Sequence, residues 1–350
     1  LIVGAGPAGI ALALRLRQRR ISALVLEAHR IGETWHRVPR EMRLVSPWWT
    51  NALRSRDVLR FPPLAKVLAE DFRNYLATLA RRERLDIIEG AKISEIESVP
   101  GGWRARADDG RSWIAPQLVL ATGYFGNPKG PIGGLDTDGS VPVSHVASVH
   151  DYDAFARDHE GQTVVIVGKR VSAGQFMTEL ARRGVRVVLA TRGPVEFRRA
   201  GLAGWIRDHI YFFWEALRVR LQPGLRADSY PIMDGGETER MVRSRQVAVV
   251  GPVTAIRGGK VLCGDQSIAA SHVLLATGYS AVIENLAIKP ETMTFESGVL
   301  SGFRLAEGLY AIGIDQQTDF RSRYLRGIRV DARALAGIVD AEARPATSMD

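Results

Sequence analysis

The opening of the chain limits its fold more than any other stretch. Leu1-Ile2-Val3 is a short apolar run of the kind that forms a buried parallel strand, and Gly4-Ala5-Gly6-Pro7-Ala8-Gly9 follows at once. Ile10 to Arg20 has a helical pattern, apolar on one side and basic toward its C-terminal end. Ala23-Leu24-Val25-Leu26 is the next strand, and it ends on Glu27. Together these make a complete βαβ unit. Gly4 permits the tight turn, Gly6 lets the backbone approach a diphosphate, and Gly9 lets the helix pack closely on the strand. The start of the helix offers unpaired N–H groups and the positive end of its dipole to phosphates. Glu27 stands where a carboxylate accepts hydrogen bonds from ribose hydroxyls. The unit predicts dinucleotide binding.

The pattern then repeats. Residues 64–84 read as an amphipathic helix, with Leu64, Val67, Leu68, Phe72, Leu76 and Leu79 on one face. A β-meander is expected from Asp86 to Ile114, with a turn at Asp109-Gly110, and Leu120-Ala121-Thr122-Gly123-Tyr124 closes it. A second βαβ unit starts near Thr163, with Val164 to Val167 as strand, Gly168 to Gly174 as turn, Gln175 to Arg183 as helix and Val185 to Leu189 as strand. Another meander spans Val247 to Val273, and Leu275-Ala276-Thr277-Gly278-Tyr279 repeats the earlier ending. An internal repeat of this kind predicts two nucleotide modules of related design. No acid closes the last strand of the second unit; Arg192 stands there instead, the residue type expected beside a 2′-phosphate, which favours NADPH over NADH.

Composition narrows the function classes. Hydrophobic residues form 46% of the 350, enough for a sizeable core. The one cysteine, Cys263, excludes an intrachain disulfide, a CxxC redox pair and cysteine-based zinc sites; it fits a reducing compartment, so a cytoplasmic location is expected. The net charge of +9 does not point to nucleic acid, because the arginines are scattered along helices without an accompanying aromatic-basic motif. No metal cluster or Ser/His/Asp set offers a rival catalytic centre.

These segments resemble the class B flavoprotein monooxygenase superfamily, which includes flavin-containing monooxygenases, N-hydroxylases and Baeyer–Villiger enzymes. The resemblance spans almost the whole chain. It rests on Gly4–Gly9, Glu27, Gly32-Glu33-Thr34-Trp35, both Ala-Thr-Gly-Tyr turns, Gly308 to Gly313 and Leu325-Arg326-Gly327; Pro231 to Gly235 also resembles a segment of the small bacterial members. It implies an α/β fold of two Rossmann-like, glutathione-reductase-like domains, each with a parallel sheet, helices and a meander. The FAD domain would comprise 1–155 and 278–350, with the NAD(P) domain, 156–277, inserted between them. FAD contacts implied are Gly4, Gly6, Pro7, Ala8, Gly9, Glu27, Ala28, Thr34, Trp35, Lys92, Ile93, Ala121, Thr122, Gly123, Gly313 and Asp315. NADPH contacts implied are Gly168, Ser172, Ala173, Thr191 and Arg192. The implied reaction is an NADPH-dependent monooxygenation of a small molecule. Reduced FAD captures O₂ as a C4a-(hydro)peroxide, while the protein positions the nicotinamide and keeps the site dry.

Two departures matter. Arg170 stands where the second motif calls for glycine, and it can either grip the phosphates or block them. Blockage would leave a flavin oxidase or dehydrogenase with another electron donor or acceptor, or a non-redox FAD-binding protein. The superfamily fingerprint, FxGxxxH, is incomplete between Gly139 and Tyr152, where His145 is a better match than His150; the Baeyer–Villiger version is absent. Asn51, after Ser46-Pro47-Trp48-Trp49-Thr50, is the catalytic candidate, since an amide can hydrogen-bond the cofactor without changing charge. The alternative is a simple turn residue, and Trp48 and Trp49 are either pocket walls or core. Residues 205–217 are rich in aromatics but too short and too charged at their flanks to span a membrane. A substrate-entrance lid, a membrane-surface contact, a homodimer contact and a core helix all stay open for them.

Overall fold

Two parallel sheets built on one plan carry the chain. The computed structural model describes residues 1–130, 134–197, 202–225, 231–289 and 302–343, with the backbone alone for 202–205, 207–209 and 284–285. The first module contains β1 (Ile2–Val3), α1 (Pro7–Gln18), β2 (Leu24–Leu26), α2 (Glu33–Arg37), α3 (Trp48–Asn51), α4 (Ala69–Arg82), β3 (Asp86–Ile88), β4 (Ile93–Val99), β5 (Gly102–Ala107), β6 (Ser112–Ala115) and β7 (Leu118–Leu120). The chain continues through β8 (Asp136–Thr137), β9 (Val143–His145), α5 (Tyr152–Asp158), β10 (Thr163–Val167), α6 (Val171–Arg182), β11 (Arg186–Ala190), α7 (Leu202–Leu221) and α8 (Glu237–Arg243). Then come β12 (Ala248–Val250), β13 (Val253–Arg257), β14 (Lys260–Cys263), β15 (Gln266–Ala269) and β16 (His272–Leu275). It closes with β17 (Ala287–Lys289), β18 (Arg304–Ala306), β19 (Leu309–Ala311) and α9 (Leu325–Ala343).

The first sheet has the order β18-β19-β7-β1-β2-β3 and the second β12-β11-β10-β16-β9. In each, the strand before the glycine turn lies between the strand after its helix and a later strand, all parallel. Such an arrangement leaves a crevice at the carboxyl ends of the central strands, where ligands of open α/β sheets bind. Each module also has a small sheet, β17-β4-β5-β6 in the first and β15-β14-β13-β8 in the second.

The two-module α/β architecture is the one expected, with local differences. Asp86–Ile88 joins the main sheet parallel to β2 and does not begin the meander. Ala248–Val250 likewise extends the second main sheet beside β11. A three-residue apolar run has no periodicity to separate a sheet-edge strand from a meander strand. The helix expected over 64–84 begins only at Ala69, because Pro62-Pro63 and the turn after them hold an extended segment that pairs Arg43 with Leu68. Segment 136–145 was read as part of the first domain. Its β8 pairs with β13 and its β9 with β16, so by hydrogen bonding it belongs to the second module.

Helix α9 closes the first module by packing along α1, where Ile328, Ala332, Leu335, Ala336 and Val339 are buried with Ile10, Leu12 and Leu14. The tight entry into α9 depends on Gly327, since a Cβ there would overlap the backbone carbonyl of Arg321 in the segment that leads into the helix. Asp331 is buried in the same helix at 3% exposure. Its Oδ1 accepts a hydrogen bond from Thr318 Oγ1 at 2.7 Å, and its Oδ2 has no hydrogen-bond partner. Burial raises this carboxyl to about 6; Asp319 adds to the rise, while the Thr318 and Ser322 hydroxyls and Arg321 oppose it.

Two outcomes follow for stability. Gly327→Ala should lower stability by about 3 kcal/mol, whereas Gly337→Ala, whose Cβ would meet nothing nearer than the Arg19 side-chain end at 3.6 Å, should raise it by about 0.5–1 kcal/mol. Denaturant unfolding of both variants distinguishes them, and equal effects would refute the packing account. Because the folded Asp331 holds its proton more tightly than the unfolded one, its contribution is favourable below about pH 4 and is lost as pH rises to about 6. Asp331→Asn should therefore exceed the parent in stability at pH 7 by up to about 3 kcal/mol. The difference should vanish near pH 4, which paired pH-dependent melts can check.

Candidate dinucleotide site

The glycines of the first turn divide the work between folding and binding. Gly4 has φ +109°, and a Cβ on it would come 2.6 Å from the carbonyl oxygen of Ala121 at the end of β7. A Cβ on Gly9 would overlap the carbonyl of Gly4, so α1 crosses β1 this closely only because Gly9 lacks a side chain. Gly6 differs. It is the N-cap of α1, and a Cβ there would meet nothing within 4 Å. The open space lies in front of a helix N-terminus with no side-chain cap and no acid in its first turn. The Pro7 ring removes one N–H and leaves those that follow directed outward. Such a cradle fits the diphosphate of FAD.

Glu27 is 8% exposed at the end of β2. Its Oε2 accepts from Ala5 N at 2.7 Å and its Oε1 from His29 N at 3.0 Å. Burial pushes the carboxyl above the usual carboxylate range, against the pull of these two donors. A carboxylate has about four acceptor positions, so lone pairs remain for ribose hydroxyls. Ala28 follows it directly. Gly32, at φ +69°, caps α2 and donates to Ala5 O at 3.0 Å, which folds Thr34 and Trp35 back toward the glycine turn. Trp35 packs against Phe72 of α4, with ring centroids 4.6 Å apart and planes tilted by 59°. On the other side, Gly313 at φ +80° faces the start of α1, where its Cβ would lie 3.2 Å from that of Ala8.

Strand ends from three parts of the chain therefore converge. Ala121-Thr122-Gly123 follows β7, with Gly123 at φ +69°, and Gly313 to Asp315 follows β19. The backbone N–H of Asp315 donates to the Tyr124 hydroxyl, and Asp315 Oδ2 accepts from Arg323 at 3.0 Å. Lys92 and Ile93 lie at the start of β4; Lys92 O already accepts from Asp108 N, and Ile93 is buried at 7% exposure.

Asn51 is held firmly. It is 1% exposed, its Nδ2 donates to Ser46 O at 2.8 Å, and its Oδ1 accepts from Ser46 Oγ at 2.8 Å and Thr50 Oγ1 at 3.3 Å. Just beyond it, Arg54 forms a two-pronged ion pair with Asp57, which also accepts from the Tyr75 hydroxyl at 2.9 Å. Trp48 proves to be core, fully buried against Phe61, Phe72 and Tyr75. Trp49 is half-buried in a cluster with Phe212, Met233 and Phe320, between elements of both modules. Sequence reasoning missed Arg329 of α9, which donates to the carbonyls of Trp49 and Ala52, both at 3.3 Å, and so braces the segment that carries Asn51. Burial and the nearby Arg15 and Arg333 depress its pKa. The available signal was an arginine row, Arg326, Arg329 and Arg333, at helical spacing along α9.

The second turn has the same frame with different side chains. Gly168, at φ +155°, would place a Cβ 2.7 Å from Ala276 O. Ala173 is fully buried at the start of α6, so only its backbone can face a ligand, with Ser172 one position before it. Arg170 is the N-cap at φ −114°, a conformation open to any residue, and its side chain comes within 3.8 Å of Glu196. Beyond β11, Thr191 is 8% exposed and its hydroxyl donates to Gly193 O at 2.9 Å; Arg192 is exposed. Lys169, which sequence reasoning passed over, brings its amine to Gly193, whose Cβ would lie 3.5 Å from it.

His145 is structural in its contacts. Its Nδ1 accepts from Ala147 N at 3.0 Å, its Nε2 pairs with Gly278 O at 3.1 Å, and burial lowers its pKa. His150 is exposed and pairs with Arg37 O. Residues 205–217 lie within α7; the side chain of Trp205 is outside the described residues. No described helix is long and apolar enough to cross a membrane.

Residues 1–289 match the pyridine nucleotide-disulphide oxidoreductase family. Among curated relatives, the uncharacterized oxidoreductase CzcO-like of Geobacillus kaustophilus is 24% identical, covering 96% of each chain. Indole-3-pyruvate monooxygenase YUCCA1 of Oryza sativa is 25% identical over 91% of this chain and 86% of its own length. Among solved structures, a flavin-containing monooxygenase from Stenotrophomonas maltophilia superposes with a TM-score of 0.76 at 20% identity, covering 98% of both chains. FAD and NADP are the dinucleotides of this fold. With one cysteine, the sequence lacks a dithiol pair, and Cys263 is 1% exposed. The chain belongs to the pyridine nucleotide-disulphide oxidoreductase family and is a flavin-dependent oxidoreductase within it.

Proposed function

We propose that this protein is an FAD-dependent, NADPH-using monooxygenase that inserts one oxygen atom of O₂ into a small molecule. One observation carries the reading. An open glycine N-cap with a buried acid forms the first site, and a second site of the same frame ends in cations instead of an acid. Lys169, Arg170 and Arg192 gather where β11 ends, which suits the extra phosphate of NADPH. The monooxygenase names carried by relatives of full-length similarity support the reaction class.

The residues then divide as follows. Gly4, Gly6, Pro7, Ala8 and Gly9 present backbone to the FAD diphosphate. Glu27 and Ala28 take the ribose, and the backbone at Lys92 and Ile93 borders the adenine. Thr34, Trp35, Ala121, Thr122, Gly123, Gly313 and Asp315 line the remainder of that cofactor. Gly168, Ser172 and Ala173 offer the N-terminus of α6 to NADPH, and Thr191 and Arg192 meet its ribose phosphate. Arg170 serves as a grip: its backbone needs no glycine, and its side chain reaches toward the segment that carries Arg192. FAD, when bound and reduced, supplies the oxygen activation. Asn51 keeps one Nδ2 hydrogen beyond its bond to Ser46, which it would offer to a bound flavin without adding charge. Ser46 and Thr50 hold that amide in place, and Arg329 braces the turn around it. Trp49 and Phe320 help keep water out of the space between the modules.

The purified protein should be yellow and bleach anaerobically with NADPH. Arg192→Ala should weaken NADPH about tenfold, or about 1.4 kcal/mol, with little effect on NADH. Absence of bleaching, with rapid reduction by another donor, would overturn the assignment in favour of a dehydrogenase or oxidase. Gly6→Ala should leave the flavin-free protein as stable as the parent, because its methyl group meets no protein atom. Flavin affinity should nonetheless fall at least about tenfold; unchanged affinity in a flavin-binding titration would remove the diphosphate from this turn.

A further inference from the structure

Helix α7 is apolar on two opposite faces, and among the described residues only one of them is covered. Successive residues of a helix turn by about 100°, so Ile206, Ile210, Phe213, Trp214, Leu217 and Leu221 share an arc of roughly 100°. Five of these are exposed: Ile206 44%, Ile210 47%, Phe213 62%, Trp214 58% and Leu221 73%. Phe212, Glu215 and Val219, at 3, 5 and 6% exposure, lie on the far side. That side is locked to α9 by the ion pair of Glu215 with the buried Arg326, whose guanidinium also lies 5.1 Å from the Phe212 ring. The helix therefore cannot roll to hide its outer stripe.

We propose that the outer face of α7 seats in the headgroup layer of a bilayer containing anionic lipid. Arg218 and Arg220 are both exposed, and they fall just outside the apolar arc, one at each edge. A cation on either flank of a Phe, Trp and Leu stripe matches the two layers of a membrane surface, with rings and branched chains below the headgroups and guanidinium groups among the phosphates. From Ile206 to Leu221 the stripe is about 24 Å long, which suits a helix lying in the plane. The net charge of +9 favours an anionic surface. The same charges disfavour a second copy paired in parallel on this face, because that symmetry would bring like arginines together. The inner face of α7 meets Met233, Phe320 and Trp49 between the modules, so the membrane contact lies directly behind the proposed reaction space.

Flotation of the flavin-loaded protein with phosphatidylcholine vesicles, with and without phosphatidylglycerol, tests this. Binding is expected only to the mixed vesicles, with release by salt. Phe213→Ser/Trp214→Ser and Arg218→Glu/Arg220→Glu should each weaken it at least about tenfold, with unchanged melting and flavin content because these positions are exposed. Failure to float with the mixed vesicles would overturn the proposal. So would flotation that survives both double variants. A dimer in solution that dissociates on Phe213→Ser/Trp214→Ser, without vesicle binding, would assign the face to a second copy instead.

Discussion

The structure depends on how closely α1 crosses β1. The missing Cβ of Gly9 lets the helix rest on the carbonyl of Gly4, and that of Gly4 lets the turn meet the end of β7; no side chain could take either place without displacing backbone. This closeness sets the height of the α1 N-terminus above the sheet and brings Ala121 and Gly313 to its edge. Helix α9 lies along the outer side of α1, and a third glycine, Gly327, lets the chain turn tightly into it. Shape here comes from atoms that are absent, and Gly6 inherits an opening which the fold itself does not need.

Buried charge has a different task. Arg326 with Glu215, Arg54 with Asp57, and Arg329 with two carbonyls all fasten non-sheet segments around the cleft. Breaking such a buried pair from one side is expensive, because the remaining charge loses both partner and water. These contacts therefore give the loop bearing Asn51 and the helix bearing Phe212 a single seating, where apolar contact alone would allow several.

The first glycine turn was legible in the sequence because each demand on it is local: a positive φ, a close crossing, an acid at the next strand end. The second was legible as its repeat. Neither sheet-edge strand, Asp86–Ile88 nor Ala248–Val250, could be placed, since their partners are set by register with distant strands. The roles of Trp48 and Trp49 depended on which way a four-residue helix faced. Lys169 reaches Gly193 only through the parallel pairing of β10 with β11. Helix α7 carries apolar residues on both sides, so its pattern showed a helix without showing which side was inside.

The two Ala-Thr-Gly-Tyr turns do more than mark a repeat. The stretches that follow them run past one another and are stitched together: Lys129 N to Gly278 O, Ser280 N to Asn127 O, Val282 N to Gly123 O, and Thr277 Oγ1 to Lys129 O. His145 fastens Gly278 from the second module, and its ring packs on Tyr279. Where one strand would swivel, two strands laced side by side twist poorly and bend more easily. The nucleotide modules are thereby joined by a paired ribbon, which resists swivelling of one module against the other more than two separate connections would.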